Sequence, residues 1–219
     1  MKKLIIASLL LTVAASAWAQ GAANVFYAND PNKKDVVMFT SQAPLETIVG
    51  KTANILGKIE VDPANVATAK ANFEVDLASL KTGIDMRDTH MREQYLEVAK
   101  YPKAIFELTK VLKSSSNTLE DMKPVDLTVE GNFTVHGITK TISVPMKVTY
   151  FKESENTKNR LPGDIIHVQA KWDLLLSDYS IKRPQFIILK LDEKQAIDID
   201  VFASTGTDAP KLDNATEMK

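Results

Sequence analysis

Ala69-Lys-Ala-Asn-Phe-Glu-Val-Asp-Leu77 alternates without interruption: Ala69, Ala71, Phe73, Val75 and Leu77 fall on one side, Lys70, Asn72, Glu74 and Asp76 on the other. Successive side chains of a strand point to opposite faces, so this stretch reads as a half-buried antiparallel strand. The same period recurs outward from it. Towards the N-terminus, an extended stretch over 46–62 sets Ile55, Gly57, Ile59 and Val61 against Leu56, Lys58, Glu60 and Asp62, and Ala43-Pro44 separates it from a first strand at about 36–41. Towards the C-terminus, strands are expected over 104–113, 125–135, 139–150, 165–175 and 196–203, with His136-Gly137 as a tight turn.

One stretch breaks the pattern. In Lys81-Thr-Gly-Ile-Asp-Met-Arg-Asp-Thr-His-Met-Arg-Glu-Gln-Tyr-Leu-Glu-Val, Met91, Tyr95, Leu96 and Val98 have roughly helical spacing, Asp85 or Asp88 offers an N-terminal cap, and Tyr101-Pro102 stops the helix. The chain is therefore expected to be all-β, with about eight antiparallel strands and one short helical insertion. Such a chain closes as a barrel or stacks as a sandwich, and periodicity does not separate the two. Small inward residues, Gly57, Ala69, Ala71, Gly131 and Ala170, favour a hollow interior. The segment 153–164 reads as a polar loop, and 176–194, with the apolar run Phe186-Ile-Ile-Leu189, fits neither period clearly.

The ends read differently. Lys2-Lys3, an apolar run from Leu4 and the small-x-small pattern Ala17-Trp-Ala19 are those of a secretory signal peptide over 1–19, cleaved after Ala19. Its apolar run is too short to span a bilayer, and no later stretch could serve as an integral membrane segment. Residues 20–34 read as a flexible lead-in, 35–204 as the barrel domain and 205–219 as a disordered tail. The absence of cysteine excludes disulfides and thiolate metal sites. With Lys2 and Lys3 removed from 27 basic residues, against 28 acidic ones, the mature chain is weakly acidic, which argues against a nucleic-acid partner.

Chemistry is sparse. Asp85, Asp88 and His90 could ligate a metal, but their spacing matches no standard site, and a cap by Asp88 with an ion pair to Arg87 or Arg92 is the simpler account. His136 either stabilises its turn or contacts a ligand head group. His167 reads as a solvated surface residue. With no nucleophile elbow, phosphate loop or His-Glu-x-x-His pattern, the chain is not expected to be an enzyme, and neither cofactor nor metal is expected.

Two blocks carry a resemblance. Thr82-Gly83, Arg87-Asp88, His90-Met91-Arg92, Tyr101-Pro102 and Phe106, followed by Gly131-Asn-Phe-Thr-Val-His-Gly-Ile-Thr-Lys140, are similar to the signature of the YceI-like family of bacterial periplasmic proteins. That resemblance implies an eight-stranded lipocalin-like barrel binding a polyisoprenoid or other long-chain amphiphile, in a periplasmic or secreted protein; a homodimer is compatible with it. The chain departs from the family's pattern at Asp35-Val-Val-Met-Phe39 and at Leu176-Ser-Asp-Tyr-Ser180, so an isoprenoid quinone, a prenyl phosphate, a fatty acid or its amide stay open as ligands. The expected apolar tunnel comprises Phe39, Ile59, Ala71, Phe73, Val75, Leu77, Phe106, Leu108, Val129, Phe133, Ile142, Val144, Val168, Trp172, Ile199 and Val201. Arg87, His90, Arg92 and His136 are expected at the head group or mouth. Because Arg92 shares a helix face with Asp88 at spacing four, Arg87 is the cation expected to stay free for a head group. The rival reading is a filled, ligand-free barrel serving as an envelope interaction or stress protein.

Overall fold

A computed structural model describes residues 23–183 and 189–212. Among them are ten strands, all paired antiparallel: β1 (Asn24–Ala28), β2 (Val36–Gln42), β3 (Thr47–Thr52), β4 (Ile55–Asp62), β5 (Asn65–Asp76), β6 (Lys103–Ser114), β7 (Pro124–Val135), β8 (Ile138–Phe151), β9 (Ile165–Leu175) and β10 (Lys194–Ser204). Eight of them, β1 and β4 to β10, form a closed ring, completed where Tyr27 of β1 faces Ser204 of β10. The remaining β2–β3 hairpin pairs along the other half of β10, from Gln195↔Ser41 to Asp200↔Val36. The alternation read from sequence sets the inner face: Ile55, Gly57 and Ile59 are opposite Val75, Phe73 and Ala71 of β5, and Val61, Val125, Leu127, Val129, Phe133 and Val135 belong to the core. No helix among the described residues is long and apolar enough to cross a membrane.

β1 lies within the stretch expected to be a flexible lead-in. Phe26 is fully buried opposite Ile59, edge-on to Tyr150, so apolar burial orders a segment whose polar flanks suggested the reverse. The bend between β1 and β2 is built on two buried carboxylates. Asp30 accepts the amides of Asn32 and Lys34, and Asp35 accepts the amide of Phe202 at 3.0 Å. Arg160 bridges both at 3.0 and 3.3 Å while lying over the Phe202 ring. Burial pushes Asp35 up to about 6, helped by the neighbouring Asp30 and Asp200, because the one guanidinium is shared.

Other expectations are revised. The stretch 46–62 is two strands, separated where Thr52 Oγ1 accepts the Asn54 amide. The loop 153–164 contains a one-turn helix, α2 (Glu155–Lys158), closed by a Ser154–Thr157 capping box. Within 176–194, Leu176–Tyr179 is a 3-10 turn, while most of the apolar run at 186–189 lies outside the described residues. The start of the expected tail is tied down: Thr205 exchanges hydrogen bonds with Asp164. The signal segment, its cleavage point and 213–219 lie outside the described residues. His167 is not simply solvated, for it stacks on Phe202 at 4.1 Å and meets Asp200 at 2.7 Å.

The turn at His136-Gly137 is confirmed in geometry. Both residues have positive φ, 53° and 73°, as a two-residue hairpin of this twist requires, and a Cβ at Gly137 would collide with the Tyr101 ring.

Candidate functional site: a cavity at one end of the barrel

The helical insertion sits at the barrel end where β5 stops and β6 begins. Leu77–Ser79 turns under an Asp76 cap, Lys81 bridges back to Lys51 of β3, and Gly83 with φ 85° lets the chain rise into α1 (Asp85–His90). A π-helical turn, Met91–Tyr95, follows and is closed by the Leu96 amide on the Met91 carbonyl. This wider turn brings Met91, Tyr95 and Leu96 over the end of the barrel, where they pack on the core.

Beneath and beside the insertion lies a cavity of about 560 Å³. Its walls are apolar: Val37 and Phe39 from β2, Ile48 from β3, Val75 from β5, Phe133 and Val135 from β7, Trp172 and Leu174 from β9, Ile197 and Ile199 from β10. Phe133 packs edge-on against both Trp172 and Tyr179 at 5.7 Å. Polar groups are few and stand towards the insertion: Glu46, Thr82, Arg87, His90, Gln94, Lys190 and Gln195. A small polar set on a largely apolar lining of this size is the usual form of a site for a small organic molecule.

Six of the expected tunnel residues therefore meet in one cavity wall: Phe39, Val75, Leu77, Phe133, Trp172 and Ile199. The other ten lie outside that wall: Ile59, Val129, Val144, Val168 and Val201 are buried in the core, and Ala71, Phe73, Phe106, Leu108 and Ile142 are partly buried against it. There Val129, Val144 and Val201 are essentially without solvent exposure. The inward glycines do not leave voids. Gly57 and Gly131 receive the rings of Phe73 and Phe106, whose atoms lie within 3 Å of where a Cβ would stand, so small residues here make room for large neighbours.

The expected head-group residues have mixed placements. Arg87 and His90 line the cavity, whereas Arg92, reaching the Ala78 carbonyl at 3.3 Å, and His136 do not. Arg87 is not free, contrary to expectation. Its Nη1 is 2.6 Å from Glu46 Oε1, its Nε donates to Thr82 Oγ1 and its Nη2 to the Thr82 carbonyl. Asp88 does not cap its helix, whose N-cap, Ile84, has no side-chain bond; it accepts both the amide and the hydroxyl of Thr82. Although burial opposes it, those two bonds with Arg92 and Arg87 nearby hold the Asp88 carboxyl below its usual range. His136 is a tie between segments: Nδ1 donates to the Tyr179 carbonyl at 2.9 Å, and Nε2 lies 2.7 Å from Glu97. Among the described residues, no three His, Asp or Glu side chains gather in a way that could hold a metal.

Sequence reading missed Ile48, Met91, Tyr95, Leu174, Gln195 and Ile197 as wall residues. Met91 and Tyr95, four apart on the insertion, and Leu174 and Ile197, in phase with Trp172 and Ile199, carried the signal.

The model of the YceI-like domain matches residues 27–203, and the chain belongs to that family. A UPF0312 protein of Shewanella sp. strain MR-7 is 28% identical over 145 residues, covering 66% of this chain and 72% of the relative. One from Vibrio parahaemolyticus is 33% identical over 98 residues, 44% of this chain and 48% of its own. Among solved structures, BcnA of Burkholderia cenocepacia superposes with a TM-score of 0.63 at 17% identity, covering 80% of this chain and all of its own. A polyisoprenoid binding domain from Saccharophagus degradans, implicated in plant cell wall breakdown, gives 0.61 at 20% identity, covering 84% and 98%. At such identities the likeness establishes the closed antiparallel barrel.

Proposed function

We propose that this chain is an exported, non-catalytic carrier that holds one single-chain amphiphile, with the apolar chain in the end cavity and the head beside the helical insertion. The observation that carries this reading is the 560 Å³ apolar hollow at the insertion end of the barrel. Family membership and the likeness to a polyisoprenoid binding domain support a lipid, and the leader pattern at 1–19 supports export to the periplasm. The filled-barrel alternative describes only the packed half.

The size of the hollow bounds the guest. A hollow of about 560 Å³ lies within the range of pockets that enclose one small organic molecule. That suits a fatty amide, a fatty acid or a short prenyl chain, and only part of a long polyprenyl tail. Because Glu46 neutralises Arg87 and Thr82 is bonded to Asp88 and Arg87, a polar head group would meet Gln94, His90 and Lys190 rather than a free guanidinium. Native mass spectrometry of protein purified from its own host tests the reading. One co-purifying amphiphile per chain is expected; a chain that carries none and takes up none from a lipid extract overturns it.

A further inference from the structure

Four large apolar side chains stand exposed around the opening of the cavity. Met86 is 71% exposed, Leu45 68%, Leu189 54% and Ile84 52%. They belong to one rim. The Leu45 amide donates to the Leu189 carbonyl at 2.9 Å, and the sequence neighbours of that pair, Glu46 and Lys190, line the cavity together with Ile84 and Met86. Single exposed apolar residues are ordinary, but a cluster ringing an apolar opening marks a surface that meets something apolar.

We propose that this rim docks the cavity mouth onto the surface of a phospholipid bilayer. The occupant follows from continuity: Ile84 and Met86 are at once rim and cavity wall, so one apolar surface runs from the outside of α1 into the barrel. With the rim seated among acyl chains, an amphiphile passes between bilayer and cavity along that surface without its chain crossing water. This rests on the carrier reading above for the choice of a lipid over a protein surface. The charges of the insertion do not oppose seating, since Arg87 is paired with Glu46 and Asp88 is turned onto Thr82. Exposed Lys51, Lys81 and Lys190 outnumber exposed Asp85 and Glu93 by one charge, so seating depends mainly on apolar contact and only weakly on anionic lipid.

The test uses the mature protein with vesicles of phosphatidylethanolamine and phosphatidylglycerol, and with phosphatidylcholine vesicles as the uncharged arm. In flotation, wild type is expected to rise with both vesicle types, and Leu45→Ser combined with Leu189→Ser, rim residues outside the cavity lining, to lose association about tenfold or more, since both residues are lost from the seated surface. A fluorescent fatty amide is expected to move from vesicle to variant correspondingly more slowly, yet to bind the variant normally when delivered from cyclodextrin. Equal melting temperatures verify that these exposed substitutions leave the fold intact. Failure of wild type to float, or equal flotation and transfer by the variant, overturns the docking surface, and a rim that captures a protein instead gives the first of these results. If wild type binds no amide from either source, the carrier reading falls, while flotation still decides the docking surface on its own.

Discussion

The two halves of this barrel are made from the same alternating strands but differ in what fills them. At the end away from the insertion, Phe26, Val129, Val144, Ile166 and Val201 are packed to near-zero exposure, and the β6–β7 connection closes over them, with the Leu119 amide on the Pro63 carbonyl and the Val66 amide on the Asn117 carbonyl. At the insertion end, Phe39, Phe133, Trp172, Ile197 and Ile199 surround open space. The difference lies in the closure. One end is sealed by a connection that buries an apolar side chain, the other by a helical turn that spans the opening and pairs its charges locally, Arg87 with Glu46 and Asp88 with Thr82. A strand pattern thus specifies the wall, and what crosses the barrel end specifies whether the wall encloses a core or a cavity.

The largest effect that separates the halves is truncation. Phe26→Ala should cost about 3–5 kcal/mol in urea unfolding, as for a fully buried ring, whereas Ile199→Ala, already bordering space, should cost less than half as much. Equal losses would erase the distinction.

Next comes the outer staple of the packed end. Asp35 has its folded value raised from 3.8 to about 6, so the native state binds the extra proton between those values, and this group's contribution to stability falls as pH rises from 4 to 6. The penalty above pH 6 is up to about 3 kcal/mol. Asp35→Asn, which keeps an acceptor for the Phe202 amide, should remove that pH dependence; thermal melts between pH 4 and 8 that leave the profile unchanged would show that Arg160 already compensates the charge.

Much of this was legible beforehand, and the misses have physical causes. The strands around Phe73, Val129, Trp172 and Ile199 announce themselves because one face meets water. β1 does not, since five residues give too short a period and Asn29-Asp30-Pro31 resembles a loop until Arg160 is brought to it from far along the chain. Gly57 and Gly131 were read as space because the rings that occupy that space come from neighbouring strands. Arg87 looked free because Glu46 lies 41 residues away, beyond any helical spacing rule. For the site, sequence named six apolar wall residues with Arg87 and His90, but it could not tell the hollow half from the packed one, because inward direction is local and emptiness is not.

Adding bulk gives a smaller contrast. Ala203→Leu, in the packed half, should lower stability by about 1–3 kcal/mol, while Ala104→Leu, on the cavity wall, should leave the apo melting temperature nearly unchanged and shorten the longest chain accepted. Smallest of all is Arg87→Gln. A pair a quarter to a third exposed contributes about 1 kcal/mol or less, so stability should drop slightly, and binding of an anionic and a neutral amphiphile of equal length should change alike. A loss confined to the anionic ligand would return Arg87 to head-group recognition.

The central claim, that the apolar cavity beside the insertion sets what this barrel carries, is tested most directly by the affinity of a homologous series of straight-chain amides measured by calorimetry. Each added methylene should contribute up to about 0.8 kcal/mol until the 560 Å³ hollow is full, and nothing further thereafter. A gain that continues undiminished along the whole series would mean that the far half opens to admit the longer chains, and would contradict the division of the barrel into a packed end and a hollow one.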